Sequence, residues 1–193
     1  MNSPFSAYVQ ALGKGRRGAR NLTFAEAEHA MQMILQHIVT PEQLGAFLML
    51  LRVKEETPAE LAGMVKAARD SVVLPIDFPP VDLDWAAYAG KRRQLPWFVL
   101  SALLLAQHGI KVLMHGTAMA GRVNAADALA QLGFAACHNA NEAAAQLQQR
   151  NFAYLPVATL NPRLQHLLDL KATLGLRSPV HSAVRMLNPA RAK

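Results

Sequence analysis

Gly109-Ile110-Lys111-Val112-Leu113-Met114-His115-Gly116 decides the fold class. Lys111-Val112-Leu113-Met114 follows the Gly109 turn, which predicts a strand, with His115 closing it before Gly116. Working outward, Pro96 opens a helical pattern through Gln107, and Ala125 to Leu132 is helical and ended by Gly133. Asn141 to Arg150 reads as another helix, Phe152 to Val157 as another strand, and Asn161-Pro162 opens a helix to about Leu170. Val81 to Trp85 supplies an earlier strand. Strand and helix alternating through short connections predict a parallel sheet with covering helices.

The first seventy residues have a different period. Phe5, Val9 and Leu12 are spaced as on a helix, and Gly13, Gly15 and Gly18 then break it. Thr23 with Glu26 is a capping box, in which each side chain bonds the other residue's backbone N–H. Thr40-Pro41 and Thr57-Pro58 repeat the start signal, with proline at the first helical position. Leu44 to Leu51 is apolar nearly all round, so this helix should be buried between helices or at a subunit contact. Pro75, Pro79 and Pro80 then interrupt a short apolar stretch, as a linker would. The expected organisation is a helical domain over 1–72, a linker over 73–80 and an α/β domain over 81–193, with 161–187 packing back on the helical domain.

The chain has 193 residues, 52% hydrophobic and 17% charged, long enough for a substantial core without disulfide or metal support. A single Cys137 cannot form an internal bridge, and no Cys/His pairs have zinc-ligand spacing, so no metal is expected. Cys137 itself reads as a small buried apolar residue, and Met31, Met33, Met49 and Met64 as helix packing. The longest apolar run, Leu95 to Ala106, is twelve residues, whereas a bilayer span takes roughly 20. With no apolar leader-like stretch at the start, a cytoplasmic protein without a membrane partner is expected.

Charge is distributed unevenly. Residues 1–80 hold eight bases and eight acids, while residues 81–193 hold twelve bases and five acids, so the whole +7 lies in the second part. Such a surplus points to a phosphate-bearing partner, or else to a basic solvated surface. Lys91-Arg92-Arg93 is the densest cluster. It follows the first strand, at the end of an open α/β sheet where ligands lie. Arg122, Arg177 and Arg185 are further candidates for the same polyanion. Lys14, Arg16, Arg17 and Arg20 form a basic arm that could lie along phosphates or pair with Glu26, Glu28, Glu55, Glu56 and Glu60.

Several motifs carry a resemblance. Gln43 to Thr57, followed by Glu60-Leu61-Ala62-Gly63, resembles the N-terminal domain of the anthranilate phosphoribosyltransferase family, glycosyltransferase family 3. Gly109 to Gly116, Ala126-Asp127-Ala128-Leu129 to Leu132-Gly133, Leu174-Gly175-Leu176-Arg177 and Asn188-Pro189-Ala190 fall in order on later motifs of that family. The resemblance implies an α/β fold of the nucleoside phosphorylase/phosphoribosyltransferase type. A helical N-terminal domain would be followed by the first half of a mainly parallel-sheet domain, with the rest of the sheet and an acidic metal-binding motif beyond Lys193.

Departures from the pattern bear on function. Where the enzymes carry a glycine-rich loop for a diphosphate, this chain has Ala86-Ala87-Tyr88-Ala89-Gly90 and then Lys91-Arg92-Arg93. Glycines let backbone N–H groups close on phosphate, and a tyrosine would project into that cradle. The polar helix start that holds phosphate in the enzymes is Pro96-Trp97-Phe98-Val99 here. Trp97 and Phe98 could stack a base or fill the vacated pocket. Met114 replaces a lysine, Thr117-Ala118 an Asn-Arg pair, and His181 an asparagine. Lys171 stands where the family has the arginine it uses on anthranilate. Tyr88, Gly90, His115, Gly116 and Lys171 would then line a vestigial or alternative ligand pocket, with His115 read as a structural histidine closing its strand.

Tyr88-Ala89-Gly90-Lys91-Arg92, with His115-Gly116 and Gly175-Leu176-Arg177-Ser178, is similar to the YbiB-like branch of the family. That resemblance implies a non-catalytic homodimer, joined through the helical domain, that binds DNA or RNA non-specifically through a basic groove without a cofactor. The groove residues would be Lys91, Arg92, Arg93, Arg122, Arg177 and Arg185, with no catalytic residue. The alternative is a glycosyltransferase family 3 phosphoribosyltransferase with a variant site, using Mg²⁺ and phosphoribosyl diphosphate.

Overall fold

The computed structural model describes residues 4–15, 17–88, 94–117 and 123–192. Two compact units emerge, one of residues 1–71 with 166–187, the other of residues 72–165 with 188–193.

The first unit begins with helices α1 (Ser6–Gly13), α2 (Phe24–Leu35), α3 (Pro41–Lys54) and α4 (Pro58–Asp70). Thr23, Thr40 and Thr57 each cap a helix through a complete capping box, closed by Glu26, Gln43 and Glu60. The third box is extended into the core. Glu60 is fully buried, and its Oε2 accepts from the Thr57 N–H at 2.8 Å, the Thr57 hydroxyl at 2.9 Å and Lys54 Nζ at 2.8 Å. Its Oε1 accepts from the Leu22 N–H at 2.8 Å, so one carboxylate joins the approach to α2, the end of α3 and the start of α4. A buried carboxylate is tolerated because all these donors compensate its lost hydration.

Helices α2 and α4 pack on each other at Gly63, where a Cβ would stand 2.3 Å from the Phe24 carbonyl oxygen. Phe5 and Phe47 meet with ring centroids 5.2 Å apart, inside a core that includes Met31, Ile34, Leu48, Leu51 and Met64. Residues 166–187 complete the unit with the rest of α9 (Pro162–Leu174), a short α10 (Val180–Ala183) and a 3₁₀ turn (Val184–Met186). Helix α10 lies on α4, and Arg69 donates from Nε to the Leu187 carbonyl at 2.6 Å and from Nη2 to that of Met186 at 2.9 Å.

The second unit is built on three parallel strands in the order β1 (Leu83–Ala87), β2 (Val112–Gly116) and β3 (Phe152–Pro156). Every residue of β2 is buried, as expected of a strand paired on both sides and covered on both faces. Helices α5 (Phe98–Gln107) and α6 (Ala125–Gln131) share a core with the sheet, in which Val99, Ala102, Ala106, Leu129, Met114, Phe152 and Tyr154 are buried. Helix α7 (Ala140–Arg150) packs along β3, and the one-turn α8 (Val157–Leu160) follows that strand directly.

The fold class is the expected α/β arrangement, but several element bounds differ. Strand β1 starts and ends two residues later than the apolar run suggested. Asp82 is spent anchoring the entry, its Oδ2 accepting from the Lys111 N–H at 2.8 Å. The ladder then continues until β2 ends, pairing Ala86 with His115 and Ala87 with Gly116. Those two alanines, aligned with a phosphate loop, are therefore strand. Helix α5 starts at Phe98 because Leu95-Pro96-Trp97 forms a turn, closed by Trp97 N–H to Leu95 O at 2.9 Å. Helix α9 runs on to Leu174, and no helix of the described residues is long and apolar enough to cross a membrane.

Candidate functional site

The three strands are parallel, so their carboxyl ends, Ala87, Gly116 and Pro156, share one edge of the sheet. Gly116 is required there by close approach. A Cβ on it would lie 2.6 Å from the Ala87 carbonyl oxygen, closer than any side chain tolerates.

Immediately beyond β1, Tyr88 turns inward and is 4% exposed. Its hydroxyl lies 2.8 Å from Nδ1 of His115, and the rings meet edge to face at 5.3 Å. His115 is fully buried, and its Nε2 lies 3.1 Å from Oδ1 of Asp84. Asp84 pairs with Leu113, two residues before His115, which brings both side chains to one face of the sheet. Burial, followed by the fields of Tyr154 and Asp84, pushes the Tyr88 phenol well above its ordinary value. The phenol therefore keeps its proton and donates it to Nδ1, leaving the Nε2 hydrogen to donate to Asp84. Burial likewise pushes the neighbouring Tyr154 phenol up to about 12.

This row is chemically quiet. The phenol is locked as a donor, and both histidine nitrogens are occupied. Among the described residues of the row, Asp84 Oδ2 is a buried acceptor with no hydrogen-bond partner. Beside the row, the Thr117 hydroxyl donates to Gln165 Oε1 at 2.7 Å. Among the described residues no three His, Cys, Asp or Glu side chains converge to hold a metal ion.

Of the sequence-derived candidates, Tyr88, His115 and Gly116 come together at this edge. Gly90, Lys91, Arg92, Arg93 and Arg122 lie outside the described residues. Lys171, Arg177 and Arg185 belong to the first unit, where they are exposed and face His181 electrostatically. Asp84 was missed, although an acid inside an apolar strand is itself a signal of a buried partner. Phe98 packs near-parallel to Trp85 at 6.1 Å as part of the core, whereas Trp97 is 64% exposed.

Comparison with known proteins adds a family context. Residues 8–72 match the glycosyl transferase family, helical bundle domain. Anthranilate phosphoribosyltransferase of Methylocella silvestris is 34% identical over 94% of this chain and 52% of its own length. That of Nitratidesulfovibrio vulgaris is 33% identical over 99% of the chain and 56% of its own. The crystal structure of anthranilate phosphoribosyltransferase from Thermus thermophilus superposes with a TM-score of 0.79 at 25% identity, over 94% of this chain and 55% of that one. Along nearly its whole length the chain is similar to anthranilate phosphoribosyltransferases.

The chain spans about half the length of the curated relatives it matches. The yeast enzyme, solved in complex with phosphoribosyl diphosphate and Mg, shares the fold with a TM-score of 0.78 at 20% identity, over 98% of this chain and 56% of that one. At the end of β1, where the resemblance led to the expectation of a vacated phosphate loop, the chain places a buried Tyr88 on His115.

Proposed function

We propose that the chain belongs to a phosphoribosyltransferase-type protein with a variant site, taking a phosphate-bearing ligand at the carboxyl edge of its sheet. The observation that carries this reading is the extent of its likeness to the anthranilate enzymes, 34% identity along nearly the whole chain. His115-Gly116 and the Leu174-Gly175-Leu176-Arg177 motif agree with it. Any Mg²⁺ would be held with the phosphates of the ligand, and no step is routed through the metal.

One observation favours a second reading. The Tyr88–His115–Asp84 row leaves a ring where a diphosphate cradle would need open backbone N–H groups. Together with twelve bases against five acids in residues 81–193, this supports a non-catalytic homologue that binds DNA or RNA through phosphates. Lys91, Arg92, Arg93, Arg122, Arg177 and Arg185 would be the contacts. A cytoplasmic homodimer through the helical unit accords with either reading.

Two measurements separate them. Incubation with phosphoribosyl diphosphate, Mg²⁺ and a panel of aromatic amines should release diphosphate only when an acceptor is present. If none is released, the transferase reading fails. For nucleic acid, binding measured at several salt concentrations should weaken with a log–log slope on the order of −3 to −4 for about four neutralised phosphates. Replacing Lys91, Arg92 and Arg93 together should flatten that slope by about 2, and an unchanged slope removes them from the contact.

A further inference from the structure

Helix α5 carries two apolar stripes, and the sheet uses one of them. Val99, Ala102 and Ala106 are buried in the core, and Phe98 and Leu103 pack against it. The opposite stripe runs through Trp97, Leu100, Ser101, Leu104 and Leu105, at the i, i+3, i+4, i+7 and i+8 spacing that puts side chains on one helix face. These residues are exposed, Trp97 at 64%, Leu100 at 48%, Leu104 at 55% and Leu105 at 37%, and Leu95 in the turn before the helix adds 52%. Helix α7 of the same unit has the ordinary pattern, with Ala143 and Leu147 inside and Gln148, Gln149 and Arg150 outside.

An apolar surface of this size is uncommon on a lone folded chain. The four leucines and the tryptophan together expose roughly 500 Å² of apolar area, at the upper end of the largest patch found on ordinary monomers. Over a pair of copies this is about 1,000 Å² before any polar rim is counted, which reaches the size of a specific interface. A helix that is apolar all round belongs inside an assembly.

Two features select a second copy of the chain as the occupant. Residues 94–110 contain no Asp, Glu, Lys or Arg, although the chain as a whole carries +7. Two such copies repel each other, and this face lets them approach without placing like charges opposite one another. The stripe is also self-complementary about Ser101. Under a two-fold axis through that residue, the arrangement in which one patch meets itself, positions equally far before and after it face each other. Trp97 of one copy then lies on Leu105 of the other, and the small Ser101 lets the helices come close at the centre. Gln94 and His108, equally distant from Ser101, supply a polar rim.

We propose that the outer face of α5 is an interface between two copies of this chain, formed by antiparallel pairing of the helices about Ser101. This interface goes beyond both ligand readings and is separate from a dimer through the helical unit, which uses other residues. Because the repulsion between the copies comes from charges outside the contact, added salt screens it and tightens the pair. Phosphate binding responds to salt in the opposite direction.

Analytical ultracentrifugation of the whole chain over a range of protein concentrations should show reversible doubling of the 21.0 kDa mass, tightening as salt is raised. L100E/L104E, at exposed positions, should keep the fold by circular dichroism and weaken this association about a hundredfold. If the helical unit also dimerises, the variant removes one doubling step and leaves the other, which tells the two interfaces apart. Independently, S101C should be joined to itself by a short thiol cross-linker, since Cys137 is buried, whereas A145C at an exposed position on α7 should not. Mass that stays at one chain, association unchanged in L100E/L104E, or S101C linking no faster than A145C overturns the interface.

Discussion

The hydroxyl of Tyr88 sits 2.8 Å from Nδ1 of His115, in a sheet edge where the tyrosine is 4% exposed and the histidine fully buried. This bond ties the residue that leaves β1 to the penultimate residue of β2, so it controls where the β1 chain exits. Tyr88→Phe keeps the ring and removes the donor, leaving Nδ1 buried without a partner. A loss of about 1–2 kcal/mol in unfolding free energy is expected from urea titration. If the variant is as stable as the parent, the bond is not part of the native edge.

Two glycines are fixed by neighbouring backbone. At Gly63 a methyl would meet the Phe24 carbonyl oxygen at 2.3 Å, and at Gly116 the Ala87 carbonyl oxygen at 2.6 Å. Neither obstacle is a flexible side-chain end, so the elements themselves must separate. Gly63→Ala and Gly116→Ala should each cost about 3 kcal/mol, the first by parting α2 from α4, the second by parting β1 from β2. Gly109→Ala is the comparison. It has open space at the added methyl but a φ of +87°, so it should cost only about 1–2 kcal/mol of backbone strain.

Glu60 joins three segments of the helical unit while fully buried. Glu60→Gln keeps the size but replaces an acceptor oxygen with an amide NH₂ and leaves Lys54 without its counter-charge. A destabilisation of about 2–4 kcal/mol is expected in thermal or denaturant unfolding. Lys54→Met should cost less, because the carboxylate keeps its backbone donors.

Acid should unfold the helical unit in two stages. Burial and three cations hold His181 below its ordinary value of 6.5, so the folded state takes its proton less readily than the unfolded chain. Stability is full above that pH and declines below it. Lower down, the Arg20 hydrogen bond and the Thr23 backbone N–H hold Glu26 at about 2 instead of 4.5. Its contribution is therefore present above pH 4.5 and lost as pH falls toward 2. Glu60 acts in the same direction, since its donors outweigh the upward push of burial. In unfolding free energy measured against pH, H181Q should flatten the upper decline and E26Q part of the lower one.

Cys137 is 1% exposed, and burial, then Glu142, push its thiol up to about 11. A thiol-specific reagent at neutral pH should leave it unmodified in the folded protein and react with it fully in denaturant. Fast reaction under native conditions would mean that this part of the second unit opens readily.

What could be read in the sequence was local. The starts of α2, α3 and α4 are written in Thr23, Thr40 and Thr57 with their partners three residues on, because a cap uses only neighbours along the chain. Strand β2 was legible because burial on both faces demands an apolar run, here Val112-Leu113-Met114 after the Gly109 turn. The exit of β1 was not. Its last two residues, Ala86 and Ala87, have little strand propensity of their own and are held by pairing with His115 and Gly116.

The sequence by itself determined the class of fold, a helical unit followed by alternating strands and helices, and placed the excess charge after residue 80. It also showed that glycine and hydroxyl positions of a phosphate-binding pattern are replaced. Tertiary structure alone decided what the replacements do. Tyr88 and Asp84 lie 27 and 31 residues from His115 along the chain and meet it only through the register of β1 and β2. Hydrogen bonds and fields depend on distance in space, and that distance is set by the packing of elements, not by the order of residues.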